Sequence, residues 1–466
     1  MRKMLLPFAG ALLLAACSQQ GTDAGLRMDN WIQKQSLDPQ RYMVLLKNNR
    51  MTGEALSGLQ AAGGQVVRTL PQVGIAVVVS SSPTFAANAA KVADIQAVAA
   101  SFAEALPQAV AEDVAVPEGP TAADNLYNSG LLWGIQRIHA PEAWARGVTG
   151  SKNTVVAVID TGIATNHPDL APNIVFTACY SSLPTCNPYP SLSDHGTHVA
   201  GTVAAAFGGG RVVGVGPNLG LAGYNTFESI PGCGVCSYTD SRWAAMIDAA
   251  DRGFEVINMS LGSRGQFGGG RGTNDLATFV AADNRVADYV IRRGTTIVAS
   301  AGNSALDLNG TWINLPGGLT GIMNIGATGI RPNPRYQPGV STDVKSFFSN
   351  YGASLALAAP GGDCGLPNDC NPATRPANYA EHLVLSTIVA PNPTCAATQS
   401  CPIGYGWKAG TSMAAPHVAG VAGLVKDVNP GLSPQQVSAL IRRTAEPLGD
   451  NQRFGAGMVD ANAATR

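Results

Sequence analysis

Apolar positions divide the chain into two regions with different patterns. In the first region, "YMVLLK" and "VGIAVVVSS" have the apolar runs of strands, and "ALSGLQAAGGQVV" between them contains a helix ending in a Gly-Gly stop. An alanine-rich stretch follows, and then a segment rich in Pro, Ala and acidic residues that is typical of a linker. This pattern predicts a small α+β unit over 38–105 and a linker over 106–126.

From Leu132 onward, strands and helices alternate. "TVVAVID", "EVINMSLG" and "TTIVASAGN" are apolar runs of the buried-strand type. "SRWAAMIDAADRG", "LATFVAADNRVADYVIRRG" and "GTSMAAPHVAGVAGLVKDV" have helical patterns between and after them. The alternation predicts an α/β domain over 127–466, with a mostly parallel sheet and helices on both faces. Ligands bind such sheets beyond the carboxyl ends of the strands.

The N-terminus has the features of an export signal. Arg2 and Lys3 precede a short apolar region that ends in Leu14-Ala-Ala-Cys17. This ending resembles the lipobox of bacterial lipoproteins, in which the cysteine is lipidated. We therefore expect a signal peptide over 1–17, lipidation of Cys17, and a tether over 18–37. An ordinary signal peptide with an incidental cysteine is the alternative.

Composition and charge exclude several classes of partner. Charged residues make up 13% of the 466 residues, and the formal net charge is −1, so no basic stripe indicates a nucleic-acid partner. Beyond the first 17 residues, no apolar run has the length of a membrane-spanning helix. We expect an exported monomer that contacts a membrane only through a lipid on Cys17.

Eight further cysteines occur as four close couples. An even number in an exported chain predicts disulfides, although eight cysteines permit many connectivities. Pairing of neighbours is the simplest arrangement; a redox motif or half a zinc site at the CxxC couple is the alternative. The couples are Cys179 with Cys186, Cys233 with Cys236, Cys364 with Cys370, and Cys395 with Cys401.

Three reactive side chains lie where predicted strands or helices end or begin. Asp160 ends a buried strand, His195 opens the helix of "HGTHVAG", and Ser412 opens that of "GTSMAAPHVAG". Alone, each has a structural interpretation as a cap or a satisfied polar residue. Together, an acid, an imidazole and a hydroxyl are the parts of an acyl-transfer nucleophile. Small residues around Ser412 leave room for a substrate backbone.

These segments resemble the signatures of the subtilisin-like serine protease family. "VVAVIDTGI", "HGTHVAGT" and "GTSMAAPHVAG" occur in the family's order Asp, His, Ser, within a match from "LLWGIQRIHAPEAW" to "FGAGMVDANAA". The resemblance implies a three-layer subtilisin-like fold, with Ser412 as nucleophile, His195 as general base and then acid, and Asp160 orienting His195. It makes Asn303, in "SAGN", the oxyanion-hole amide.

The resemblance also assigns substrate binding and a regulatory segment. "NMSLG" and "SAGN" resemble the family's substrate-binding backbone, which would pair with an extended peptide. The α+β unit resembles the family's ferredoxin-like inhibitory prodomain, with autocleavage in 106–126. Protein or peptide substrates and the chain's own prodomain are then the expected partners. The assigned substrate-binding residues are Ser260, Leu261, Gly262, Ser300, Ala301 and Gly302.

Two features depart from the family pattern. Asp169 matches a calcium-binding position, but the partner loop "AAFGGGRVVG" has glycines and Arg211 where oxygen-bearing side chains are usual. Calcium and a simple turn cap therefore both remain open for Asp169; catalysis itself requires no cofactor. Segment 311–326 is expected to form a wall of the pocket that binds the residue before the scissile bond, and it contains no acid. The lack of an acid disfavours dibasic specificity and favours an apolar or aromatic substrate residue at that position.

Three hypotheses follow from these patterns. The first is a secreted serine endopeptidase, made as a self-inhibited, autoprocessed precursor whose catalytic domain is released when its lipid-anchored prodomain is cut off. The second is a catalytically inactive binding lipoprotein that keeps the fold; the intact reactive residues disfavour it. The third is an esterase or lipase, which would require a G-x-S-x-G elbow that Ser412 lacks. Before cleavage, the lipidated precursor would lie at the outer membrane, the periplasm or the cell surface.

Overall fold

The computed structural model describes residues 40–113, 122–183, 186–267, 273–367 and 369–466. The predicted signal peptide, Cys17 and the tether lie outside these residues. Among the helices of the described ranges, none is long and apolar enough to cross a membrane.

The first unit is an antiparallel sheet with two helices. Its elements are β1 (Arg41–Leu46), α1 (Gly53–Ala61), β2 (Gln65–Leu70), β3 (Ile75–Val79), α2 (Phe85–Ala89) and β4 (Ile95–Ala100). The strand order is β2-β3-β1-β4, and the order of strands and helices is that of a ferredoxin-like unit. The Thr52 hydroxyl caps α1 by accepting from the Ala55 amide at 3.1 Å. One face of the sheet packs on its own helices, around Phe85 and Leu59.

Short elements connect this unit to the large sheet. They are β5 (Ala103–Ala105), β6 (Ala111–Asp113), α3 (Asn125–Asn128), α4 (Trp133–Arg137) and α5 (Ala140–Trp144). Both strands pair with strands of the large domain rather than with each other.

The large domain contains the remaining strands and helices. The strands are β7 (Val155–Asp160), β8 (Ile174–Cys179), β9 (Gly220–Asn225), β10 (Glu228–Ile230), β11 (Gly234–Tyr238), β12 (Val256–Met259), β13 (Ser263–Gln266), β14 (Thr296–Ser300), β15 (Trp312–Leu315), β16 (Ile322–Arg331), β17 (Thr342–Lys345), β18 (Leu357–Pro360), β19 (Val384–Val389) and β20 (Ile403–Ala409). The helices are α6 (His195–Ala204), α7 (Thr239–Asp251), α8 (Thr273–Arg292), α9 (Pro393–Ala397), α10 (Thr411–Val428), α11 (Pro434–Thr444), α12 (Asn451–Phe454) and α13 (Ala461–Ala464).

The central sheet is mostly parallel, which confirms the predicted three-layer α/β class. Its order is β17-β16-β14-β12-β7-β9-β8, with β18 pairing to β16. All of these pairs are parallel except β16 with β17. The carboxyl ends of β7, β12 and β14 therefore meet at one edge, where Asp160 and the residues after Met259 and Ser300 lie.

Two apolar cores cover the two faces of this sheet. Successive residues of a strand point to opposite faces, so Val156 and Val158 pack with α6 and α10, while Ala157 and Ile159 pack with α7 and α8. The second face of the N-terminal sheet packs into this latter core through β1 and β3. The N-terminal unit thus lies on α7 and α8.

Candidate active site

His195 and Asp160 form a buried acid–imidazole pair. Both oxygens of Asp160 lie 2.9 Å from Nδ1 of His195, and both side chains are buried. The Thr161 amide donates to Asp160 at 2.7 Å, which fixes the carboxylate. An anion at Nδ1 places the proton there and leaves Nε2 as the basic nitrogen.

Gly196 allows this pair to form at the first turn of α6. A Cβ at position 196 would lie 2.4 Å from the carbonyl oxygen of Gly162 and 3.1 Å from Cβ of Asp160. The Gly196 amide donates to the Thr161 hydroxyl at 2.9 Å. The helix can therefore approach the end of β7 closely only because no side chain is present at this position.

Ser412 lies in the first turn of α10, beside the end of β12. Its hydroxyl donates to the carbonyl oxygen of Ser260 at 3.1 Å, and the Ser260 hydroxyl donates to the Ser412 carbonyl oxygen at 2.7 Å. Nε2 of His195 is buried and has no hydrogen-bond partner among the described residues. The structure therefore shows the Ser412 hydroxyl turned toward Ser260, with an open acceptor on the histidine.

The Asn303 side chain is oriented by Thr411. Its Oδ1 accepts from the Thr411 amide at 2.9 Å and from the Thr411 hydroxyl at 2.7 Å, so Nδ2 points away from these donors. A Cβ at Gly410 would lie 3.2 Å from Nδ2. The amide hydrogens of Asn303 thus lie next to the backbone that leads into Ser412, as an oxyanion-hole donor requires.

A cleft joins the predicted substrate-binding residues to Ser412. Gly262, Ser300, Gly302, Asn303 and Ser412 line it. The side chains of Leu261 and Ala301 are instead buried in the core, and the Ala301 amide donates to Ile325.

Two amide residues in this cleft were missed by the sequence analysis. Asn314 donates to the Ser300 carbonyl oxygen at 2.8 Å, and Asn350 donates to that of Ala301 at 2.7 Å. Both line the cleft. Its wall is therefore more polar than the apolar preference inferred from segment 311–326.

The chain's own segment 103–113 crosses the cleft on both sides of Ser412. On one side, β5 pairs antiparallel with β11, and the Leu106 amide donates to the Val235 carbonyl oxygen at 3.0 Å. Residues 105–108 line the cleft itself. On the other side, the Val110 amide donates to Ala409 at 2.8 Å, and β6 pairs with β20. The pairing of this segment with the β11 edge was not predicted from the sequence.

His198 does not belong to the reactive group. Its Nε2 lies 3.1 Å from the carbonyl oxygens of Val384 and Gly406, and burial lowers the pKa of the imidazole well below its usual value. Its bonds to β19 and β20 hold α6 against these strands.

The residues around Asp169 do not fit a calcium ion. The Arg211 amide and the Tyr405 hydroxyl donate to its carboxylate, and burial raises the pKa of Asp169 to about 6. One oxygen, Oδ1, has no hydrogen-bond partner among the residues that the structure describes, but calcium requires six to eight oxygen ligands. The described residues contain no cluster of three or more His, Cys, Asp or Glu side chains that could hold a metal.

Within the described part of the chain there are four disulfides, each between neighbouring cysteines. The two cysteines of each bridge are between three and seven positions apart in the sequence. The pairs are Cys179–Cys186, Cys233–Cys236, Cys364–Cys370 and Cys395–Cys401.

Comparisons with known sequences agree with this geometry. The family model described as "Subtilase family" matches residues 151–457. Over 338 residues the chain is 36% identical to subtilisin Savinase of Lederbergia lenta, covering 72% of this chain and 98% of that protein. It is 35% identical over the same length to alkaline elastase YaB of a Bacillus strain, covering 72% and 70%.

Solved structures show the same similarity. Fervidolysin of Fervidobacterium pennivorans, a keratinolytic enzyme related to subtilisin, aligns with a TM-score of 0.65 and 25% identity, covering 91% of this chain and 60% of that one. A protease of Pseudoalteromonas arctica aligns with a TM-score of 0.55 and 28% identity, covering 74% and 99%.

Proposed function

This chain belongs to the subtilase family and is a serine endopeptidase, and from that premise we propose that Asp160, His195 and Ser412 are its catalytic triad. The observation that carries the assignment is the buried His195–Asp160 pair in the same cleft as Ser412 and Asn303. A base fixed by an anion, a hydroxyl and an amide donor are the groups that acyl transfer requires.

The proposed reaction begins with rotation of the Ser412 hydroxyl from Ser260 toward His195. Oγ attacks the substrate carbonyl carbon while Nε2 of His195 takes the hydroxyl proton, and Asp160 stabilises the resulting imidazolium. The Asn303 amide and the Ser412 backbone N–H bind the oxyanion. His195 then gives its proton to the leaving amine, and a water molecule hydrolyses the acyl-enzyme by the same steps in reverse.

We further propose that the enzyme is made as a self-inhibited precursor that cuts its own chain. The support is the course of segment 103–113, which crosses the cleft and pairs with a strand on each side of Ser412. A substrate must pass over the same atoms. Cleavage within 106–126 would separate the N-terminal unit from the enzyme.

Export and lipidation at Cys17 complete the proposal. The motif places the anchor on the N-terminal side of the cleavage region, so processing would release the catalytic domain. In a catalytically inactive binding lipoprotein, the arrangement of His195 and Asn303 and the segment that crosses the cleft would have no function.

The test compares the wild-type chain with Ser412→Ala by intact mass and casein hydrolysis. We expect the wild type to be trimmed within 106–126 and active, and the variant to be full-length and inert. Ser433→Ala, which removes the N-capping hydroxyl of α11 at a residue that does not line the cleft, is the control and should behave as wild type. Casein hydrolysis by pure Ser412→Ala would refute the assignment.

A further inference from the structure

A buried arginine lies beneath the segment that crosses the cleft. Arg242, on α7, is fully buried, although its neighbours Trp243 and Met246 belong to the apolar core. Its Nη2 lies 3.0 Å from Asp283 on α8 and 3.1 Å from Glu104 on β5. The cation therefore joins two helices of the enzyme to the segment in the cleft.

Two of the guanidinium nitrogens have no partner within the described residues. Nε and Nη1 of Arg242 are buried without a hydrogen bond, as is Oε2 of Glu104. Asp283 also accepts from the indole N–H of Trp243 at 2.5 Å. Without Glu104, Asp283 would be the remaining carboxylate on this arginine. The guanidinium therefore keeps unused donors, and a second carboxyl group beside Asp283 adds acceptor oxygens to this buried site.

The position of Glu104 is set by backbone pairing rather than by its own side chain. β5 pairs with β11 so that Glu104 lies opposite Ser237 and Ala105 opposite Cys236. The Leu106 amide continues this pairing to Val235. Any peptide that adds a strand to β11 places one side chain opposite Ser237, above Arg242.

We propose that the enzyme selects substrates with an acidic side chain, glutamate above all, at the position that lies opposite Ser237, and that Arg242 determines this selection. The proposal rests on the proposed proteolytic function and names its substrate class. The chain's own Glu104 is then the first example of the recognised residue. Burial raises the pKa of Glu104 to about 7, and the nearby Asp283 charge adds to the rise, so below that pH the protonated carboxyl group is favoured beside Arg242.

The buried contact with Arg242 should discriminate between substrate side chains more strongly than an exposed ion pair does. Lys408 contacts Glu112 of the same segment at 2.8 Å, but the Glu112 side chain is 65% exposed, and such pairs contribute little. At Arg242 both partners are 1% exposed or less. A site built to bond a polar group rejects substrates that lack it, because its own polar atoms are left unpaired.

The test uses peptides of residues 100–113 with Glu, Leu or Lys at position 104, as competitors of labelled casein at pH 6. Any peptide that occupies the cleft competes, whether or not it is cut. With processed wild-type enzyme, we expect the Glu peptide to compete at least ~10-fold better than the Leu and Lys peptides.

Arg242→Met should remove this preference and leave the Leu peptide's competition within about threefold of wild type, which also shows that the variant is folded. Arg252→Met, which removes an exposed arginine at the end of α7 that pairs with Asp248, is the matched control and should keep the wild-type order.

Equal competition by the Glu and Leu peptides would overturn the proposal, as would an Arg242→Met enzyme that still prefers Glu. In either case casein hydrolysis itself would still support the proposed function. Failure of wild-type enzyme to hydrolyse casein would instead remove both.

Discussion

Asn303 offers the most direct test of the proposed transition-state contacts. Because Thr411 holds Oδ1 of this side chain, the amide donor is oriented before a substrate arrives. Asn303→Leu should lower kcat by about 10²–10³, the size of loss known for the oxyanion-hole amide of a subtilisin, itself a member of this family. KM should change little, since the bond forms only in the transition state.

Steady-state kinetics of the processed variant on a peptide substrate give this comparison. Thr411→Ser, which keeps the hydroxyl that donates to Asn303, is the control and should retain most of the activity. A kcat for Asn303→Leu within threefold of wild type would contradict the assigned role.

Single residues differ in how far the sequence reveals them. Asp160, His195, Asn303 and Ser412 are readable because short, distinctive motifs contain them at the ends of predicted elements. Arg242 is not, because its role depends on Glu104, which lies 138 positions earlier. In "SRWAAMIDAADRG" a charged residue beside Trp243 reads as the solvent side of a helix, yet the structure buries it.

At the scale of elements, β5 should bind its partner strand in a pH-dependent way. Burial raises the pKa of Glu104 from its ordinary 4.5 to about 7; the positive charge of Arg242 opposes this rise, and the negative charge of Asp283 adds to it. The docked carboxyl group thus holds its proton more tightly than the free one. Docking is strongest at low pH and weakens as pH rises toward about 7.

The 100–113 peptide should therefore compete with casein several-fold better at pH 6 than at pH 8. Dividing each value by that of a peptide with Glu104→Gln removes the pH effects of the enzyme's other groups, since glutamine does not titrate. A Glu-to-Gln ratio that is the same at both pH values, or that rises with pH, would contradict this prediction.

The pattern of elements was more accessible to sequence reasoning than their pairing. Periodicity located β7, β12 and β14 and the helices between them, because each is a long apolar run with clear ends. The pairing of β5 with β11 and of β6 with β20 was not predicted. These strands are three to seven residues long, and backbone bonds to distant segments define them, with little contribution from local preference.

At the scale of the whole molecule, the order of its parts along the chain predicts where the enzyme is found before and after processing. The proposed lipid on Cys17 precedes the N-terminal unit, and the cleavage region follows it. Wild-type catalytic domain should therefore appear in the soluble fraction, while full-length Ser412→Ala should remain with membranes and carry a labelled fatty acid. Fractionation followed by intact-mass analysis distinguishes the two.

Cys17→Ser combined with Ser412→Ala is the matched control, because this chain can neither cut itself nor accept the lipid. It should leave the membrane fraction. Processed catalytic domain that stays membrane-bound would contradict the proposed release.

The strap that β5 and β6 form across Ser412 has a consequence for the kinetics of activation. While the chain is intact, both strands are tethered to the enzyme, and their effective concentration at the cleft is high. One cut leaves β5 attached only to the N-terminal unit. That unit is then a separate chain, and its binding to α7 and α8 depends on concentration. Activation should therefore have two stages: a unimolecular cleavage, and then dissociation of the N-terminal unit, which dilution favours. A freshly cut sample should gain activity sooner after it is diluted.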